Sequence, residues 1–320
     1  MPELIAVTGA AGFIGSHLTD QLLMLGQQVI GLDNFSRGAR ENVAGALDTG
    51  RFQLLDVDLA DEKAAAACDL SGVSELWHLA ANSDIPAGAA DASIDRRDTF
   101  LTTCHALELV RRFRIPRLCF ASSSAVYGDL RQTLHEDSGP LWPISNYGAM
   151  KLAAEAAISA AVESVGFDAF LFRFPNVVGG RATHGILYDL IGRIVRGAPE
   201  LVELEVLGDG SQRKQYLHVS DLVQAMLHIT AHGRGPRSCY HIGPDDEGIT
   251  VREIAAAIVA ECAPGLAVRY TGGDRGWVGD VPHFRYSVAR LAALGWTASM
   301  TSHQAIERAV REIHAEMRAG

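Results

Sequence analysis

The 320-residue sequence predicts a doubly wound α/β fold: a parallel sheet with helices on both faces, followed by a smaller C-terminal lobe. Three observations carry this. Short, fully apolar runs alternate with helical patterns; a glycine-rich turn joins the first run to the first helix; and after about residue 175 the rhythm breaks into glycine-rich loops. Strands covered on both faces lose the in–out alternation of a solvated sheet and read as continuous apolar runs.

Taken in order, the strands are expected at Leu4–Val7, Val29–Leu32, Phe52–Leu55, Glu75–Leu79, Leu118–Ala121 and Ala169–Arg173. Helices are expected near 13–25, 61–68, 91–112 and 147–164. Residues 1–175 thus form a dinucleotide-binding domain of Rossmann type and 176–320 mainly a substrate lobe, expected to cap the sheet's C-terminal edge. Two segments, Leu217–Val219 and Tyr240–Ile242, are candidates to return to the main sheet.

The first turn reads Thr8-Gly9-Ala10-Ala11-Gly12-Phe13-Ile14-Gly15 and opens a helix. Gly9 permits a tight turn, Gly12 lets the backbone approach a pyrophosphate, and Gly15 allows close helix–strand packing. The helix N-terminus offers N–H groups and positive dipole character to phosphates. The second strand ends at Asp33, 18 residues beyond Gly15. A carboxylate there accepts the ribose hydroxyls of NAD and repels the extra phosphate of NADP, while Arg37 nearby is the one feature that would suit NADP.

The fifth strand runs into Ser122-Ser123-Ser124-Ala125, and 24 residues past Ser123 comes Tyr147-Gly148-Ala149-Met150-Lys151. A spacing of four sets Tyr147 and Lys151 one turn apart on one helical face. An ammonium beside a phenol favours phenolate, so Lys151 is expected to lower the Tyr147 pKa toward working pH. Tyr147 then takes a hydroxyl proton as hydride leaves the same carbon, and Ser123 holds that oxygen.

Together these motifs resemble the extended short-chain dehydrogenase/reductase family, across nearly the whole chain. The resemblance is to its NAD-dependent nucleotide-sugar epimerases and dehydratases, above all to UDP-glucose 4-epimerases of archaeal type, which share Ala182-Thr183-His184-Gly185. It implies that Phe13, Ile14, Asp58, Leu59, Ala80, Ala81 and Thr99 join the glycines, Asp33, Tyr147 and Lys151 in holding NAD. It also implies substrate contacts at Asp84, Ser124, Asn176, Arg213, Lys214 and Arg275. An arginine fork suits a sugar-diphosphate independently of any resemblance.

The chain departs from the family's pattern around the sugar. Thr99 stands where an asparagine is usual, Pro175 precedes Asn176, the loop Asn82–Ala87 has no arginine, and Lys214 takes an arginine's place. The expected activity is 4-epimerisation of a UDP-hexose or UDP-N-acetylhexosamine. Dehydration shares the first oxidation. A 4,6-dehydratase is disfavoured by Ser124-Ala125, where that version carries Asp-Glu. A 5,6-dehydratase, of the kind known from the tunicamycin pathway, stays open, with Asp84 and Cys119 as its additional groups. A non-catalytic dinucleotide sensor is the reading from a different class; the presence of both Tyr147 and Lys151 counts against it.

Composition narrows the partners. Hydrophobic residues make up 48% and charged residues 21%, as in globular proteins. A net charge of -10 argues against nucleic acid or an anionic membrane surface as partner. No apolar run approaches the roughly 18 residues of a membrane span, and no basic leader precedes the first strand. Five cysteines without metal or redox spacing read as reduced thiols of a cytoplasmic protein, with no metal site expected. The small-residue helices 91–112 and 147–164 are expected to pair with their copies in a homodimer.

Overall fold

In a computed structural model, residues 2–130, 132–198, 200–273 and 285–319 are described. Seven strands form the central sheet: β1 (Leu4–Thr8), β2 (Gln28–Asp33), β3 (Phe52–Asp56), β4 (Glu75–His78), β5 (Arg117–Ala121), β6 (Asp168–Arg173) and β7 (Arg237–His241). Their spatial order is β7-β6-β5-β4-β1-β2-β3, and the five pairings from β6 to β3 are parallel. The chain runs outward from β1 to β3, then reverses through β4, so the strand order switches direction beside β1. In open parallel sheets this switch is where ligands bind, past the carboxyl ends of the strands.

Helix α1 (Phe13–Met24) follows β1, α2 (Glu62–Ala67) follows β3, and the segment after β4 carries α3 (Ile85–Ala90) and α4 (Thr102–Phe113). Helix α5 (Asn146–Val165) joins β5 to β6. Leu76, Leu118 and Phe120 of the sheet pack with Leu109, Val110, Ala154 and Ile158 of α4 and α5 in one buried cluster. Helix α5 begins at a Ser145 cap, whose hydroxyl accepts from the Gly148 N–H, and ends at Gly166 in the left-handed region. The expected helix 91–112 is interrupted: Arg96–Leu101 form a π-helical stretch that carries Thr99. Such stretches often occur at functional sites.

The chain divides into two compact units. The first holds Met1–Gly128, Ser138–Arg173 and Met226–Tyr240; the second holds Asp129–Asp137, Phe174–Ala225 and His241–Gly320. Of the two segments expected to return to the sheet, Tyr240 does so through β7, whereas Leu217–Val219 does not. Residues Tyr216–His218 pair in parallel with Asn176–Val178 in the second unit, which satisfies their backbone groups away from the main sheet. In that unit the helices Ile186–Gly197, Val251–Cys262 and Ser302–Ala319 pack around Leu190, Ile191, Ile254, Ile258, Ile306 and Val310. Among the described residues no helix is long and apolar enough to cross a membrane.

Candidate active site

The glycine turn is built by contact, not by composition alone. Gly9 has φ +70°, and a Cβ at Gly15 would lie 1.9 Å from the Gly9 carbonyl oxygen. Only hydrogen fits at Gly15, so α1 starts tight against the turn. No side chain caps that helix at Gly12, which leaves its first N–H groups to an anion. Asp33 is buried at the end of β2; its Oδ2 accepts from the Ala11 N–H at 2.9 Å and its Oδ1 from the Phe35 N–H at 2.8 Å. Burial raises its pKa, against the N–H donors of Phe35, Ala11 and Gly12. The carboxylate is thereby fixed beside the turn, with lone pairs to spare for hydroxyl donors.

The other expected cofactor positions surround this turn in the same unit. Thr8 Oγ1 accepts from the N–H groups of Leu79 and Ala80, both at 3.1 Å. Its one proton therefore goes to His78 Nδ1, 2.8 Å away, leaving Nε2–H to donate to Thr103 Oγ1 at 3.1 Å. His78 is a neutral, fully buried strut, its pKa pulled down to about 3 by burial. Thr99 accepts from the Asn82 N–H at 3.2 Å, and Ala81 lies between these anchored positions. Asp58 turns back onto the Ala60 N–H and pairs with Arg97. Leu59 is buried in the core cluster, so any contact from it to a ligand is through its backbone.

Ser123, Tyr147 and Lys151 come together at the ends of β5 and α5. Ser123 begins the turn Ser124–Tyr127, its hydroxyl accepting from the Ala125 N–H at 3.1 Å, and is hydrogen-bonded to Tyr147. Lys151 is buried, donates to the Ala121 carbonyl at 2.7 Å, and holds its Nζ 5.8 Å from the Tyr147 ring centre. Burial pushes the Tyr147 phenol up to about 12, opposed by Ser123 and assisted by the Asp95 carboxylate. Burial pulls the Lys151 ammonium down to about 7, opposed by the Glu155 and Asp95 carboxylates. The pairing expected from the spacing is present, but its electrostatic consequence differs. Lys151 donates a proton to the Ala121 carbonyl and is itself desolvated, so burial dominates the phenol.

Beneath this trio lies a buried ion pair that the motif reading did not single out. Arg173 Nε donates to Glu155 Oε1 at 2.9 Å and its Nη2 to Oε2 at 2.5 Å, while Nη1 donates to the Tyr127 hydroxyl at 2.7 Å. Ser122, next to Ser123, donates to the same carboxylate. The sequence held a signal for it: Tyr147, Lys151 and Glu155 recur at intervals of four, on one face of α5. Glu155 thus pins the strand end that carries Ser123 and lends negative potential to Lys151.

The expected substrate contacts fare unequally. Ser124 opens the turn after Ser123 and is half-buried. Asn176 is exposed and starts its short strand opposite Tyr216. Arg213 and Lys214 form a two-residue strand against Ile249-Thr250, so their side chains project from opposite faces. Arg213 donates to the Gly248 carbonyl at 2.8 Å and sits 3.6 Å from Glu253. Asp84 caps α3 through the Ala87 N–H and pairs with Arg37 at 2.9 Å. Cys119 is fully buried on β5 with its thiol pushed well up by burial, which makes it core rather than reactive. Arg275 lies outside the described residues.

Comparison with known proteins completes this picture. The sequence profile of the NAD dependent epimerase/dehydratase family matches residues 5–243. The chain belongs to that family. It is 26% identical over 312 residues to a protein of Methanocaldococcus jannaschii provisionally named UDP-glucose 4-epimerase, covering 96% of this chain and 97% of the relative. A solved UDP-galactose 4-epimerase superposes with a TM-score of 0.86 at 32% identity, over 98% of this chain and 99% of the other. A dTDP-glucose 4,6-dehydratase double mutant from Streptomyces venezuelae, solved with NAD bound, gives 0.86 at 26%, over 98% of each chain. The chain is an NAD-dependent enzyme of this family, and the cradle of Gly9, Gly15, α1 and Asp33 fits that cofactor.

Proposed function

We propose that the enzyme epimerises a UDP-hexose or UDP-N-acetylhexosamine at C4. The assembled Ser123–Tyr147–Lys151 trio, which offers the single proton acceptor that epimerisation needs, is the observation that carries this reading. Epimerisation needs one proton acceptor that later donates, whereas elimination needs a second group to move a proton at C5 or C6. The Ser124-Ala125 step after Ser123 supplies neither carboxylate of a 4,6-dehydratase.

Bound along the glycine turn and Asp33, NAD supplies the hydride acceptor and returns the same hydride. The protein's own residues do the rest. Ser123 holds the C4 oxygen by a hydrogen bond; Tyr147 takes its proton and gives it back to the opposite face's product. Lys151 lends positive charge, favouring the phenolate that burial alone disfavours. Asn176, Arg213 and Lys214 are assigned to the diphosphate, for which Arg213 would exchange its exposed pairing with Glu253. The small-residue face of α5 and the neighbouring α4 are assigned to a homodimer contact.

Proton NMR in heavy water, with UDP-glucose and separately UDP-N-acetylglucosamine, tests the reading. An axial 4-hydroxyl product without deuterium at C5 is expected. Vinylic protons, or deuterium entering C5 or C6, would replace epimerisation with 5,6- or 4,6-elimination after the same C4 oxidation.

A further inference from the structure

The loop after β2 and the loop after β4 flank the glycine turn, because β1 lies between β2 and β4 in the sheet. Arg37 sits on the first loop and Asp84 on the second, and Arg37 Nη2 meets Asp84 Oδ2 at 2.9 Å. Their ion pair therefore crosses the end of β1, on the side of the sheet where the turn Gly9–Gly12 opens toward a pyrophosphate.

Both ends of this bridge are anchored. On the Arg37 side, the Ala39 N–H and the Asn42 side-chain amide both donate to the Ala11 carbonyl, at 3.1 and 2.9 Å. A Cβ at Gly38 would lie 2.9 Å from Asp33 Oδ1, so this loop lies directly on the glycine turn and its carboxylate. On the Asp84 side, the Asp84 N–H donates to Asn82 Oδ1 at 3.0 Å, and the Asn82 amide donates back to the Asp84 carbonyl at 2.9 Å. Asp84 Oδ1 is held by the Ala87 N–H, leaving Oδ2 aimed at Arg37. Two pinned loops joined by opposite charges make a strap.

We propose that the Arg37–Asp84 pair is a clasp that retains NAD between turnovers, a role for chain positions outside the reacting trio. It rests on the placement of NAD along Gly9–Gly15 and Asp33. An enzyme that recovers its NAD unchanged in every cycle has no need to exchange it, and a clasp across the pyrophosphate slows a loss that would otherwise interrupt catalysis. The pair is partly exposed, with 40% and 30% of the two side chains accessible, so its effect is modest. An exposed pair of this kind corresponds to about a two- to fivefold change in a dissociation rate.

The test is a pulse–chase of the whole enzyme loaded with radiolabelled NAD and diluted into unlabelled NAD, with bound label counted over time. The variants are Arg37→Gln, Asp84→Asn and the double substitution. Asparagine keeps the cap on α3 while removing the charge. Each single variant is expected to release label about two- to fivefold faster, and the double no faster than either, because one bridge is broken in all three. Faster release by Arg37→Gln alone would overturn the clasp, since Arg37 would then act on the cofactor directly. Effects that multiply in the double variant would overturn it equally. Label retained and released at one rate by all four proteins would overturn the clasp alone. An unaltered protein that retains no label would overturn the clasp and the cofactor placement together.

Discussion

Two ion pairs, one in each unit, differ in depth. In the first, the pair behind the reacting trio is buried and tied: Arg173 and Glu155 are 7% and 6% exposed and share bonds with Ser122 and Tyr127. In the second, Arg269 bridges Glu203 and Glu205 along a solvated strand pair, with 51% of its side chain accessible. A buried pair cannot be broken cheaply, because the surviving partner is left desolvated and unpaired. An exposed pair loses little, because water replaces it. The buried pair lies on the unit that carries Ser123, Tyr147 and Lys151, the groups proposed to move the proton. The exposed pair lies on the unit that carries Asn176 and Lys214, two of the positions proposed for the substrate.

This contrast can be broken from either side. Tyr147→Phe should produce the largest effect, a fall in turnover of about 10²–10⁴-fold. Retention of most activity would remove the proton-transfer role from the first unit. Glu155→Gln strands the Arg173 guanidinium and should cost about 3–5 kcal/mol, read from the denaturant midpoint. A loss no greater than that of an exposed-pair variant would erase the distinction between the units.

A smaller, pH-dependent effect belongs to His78. Its folded pKa of about 3 lies below its ordinary 6.5. Between these values the unfolded chain binds a proton that the folded one refuses, so stability falls as the pH drops from 6.5 toward 3. The slope is about 1.4 kcal/mol per pH unit, and His78→Asn should remove one proton's worth of it between pH 6.5 and 5. Equal slopes for both proteins would mean that His78 is protonated inside the fold. The smallest effect is expected for Arg269→Ala: a slight drop in melting temperature that disappears in high salt, since exposed charges are screened. A large, salt-resistant drop would show that the second unit also depends on fixed ion pairs.

Much of the first unit was legible in the residues. The strand positions, the glycine turn, Asp33 and the Tyr147–Lys151 spacing follow from local rules: apolar periodicity, glycine's missing Cβ, and the 3.6-residue turn. The pairing of Tyr216–His218 with Asn176–Val178 was not, because a short apolar strand satisfies its backbone equally well in either of two sheets. Nor was the fate of Arg213, whose commitment to Glu253 depends on a helix start some forty residues onward.

What the sequence determined by itself is therefore the glycine turn with Asp33 and the Tyr147–Lys151 spacing, since each is set within one strand–turn–helix unit or one helix. Only the tertiary structure decided their electrostatic state. Burial raises Tyr147 and lowers Lys151, Arg173 pairs with Glu155, and Asp84 pairs with Arg37. Desolvation and long-range pairing depend on what the fold brings near a residue, and no local spacing encodes that.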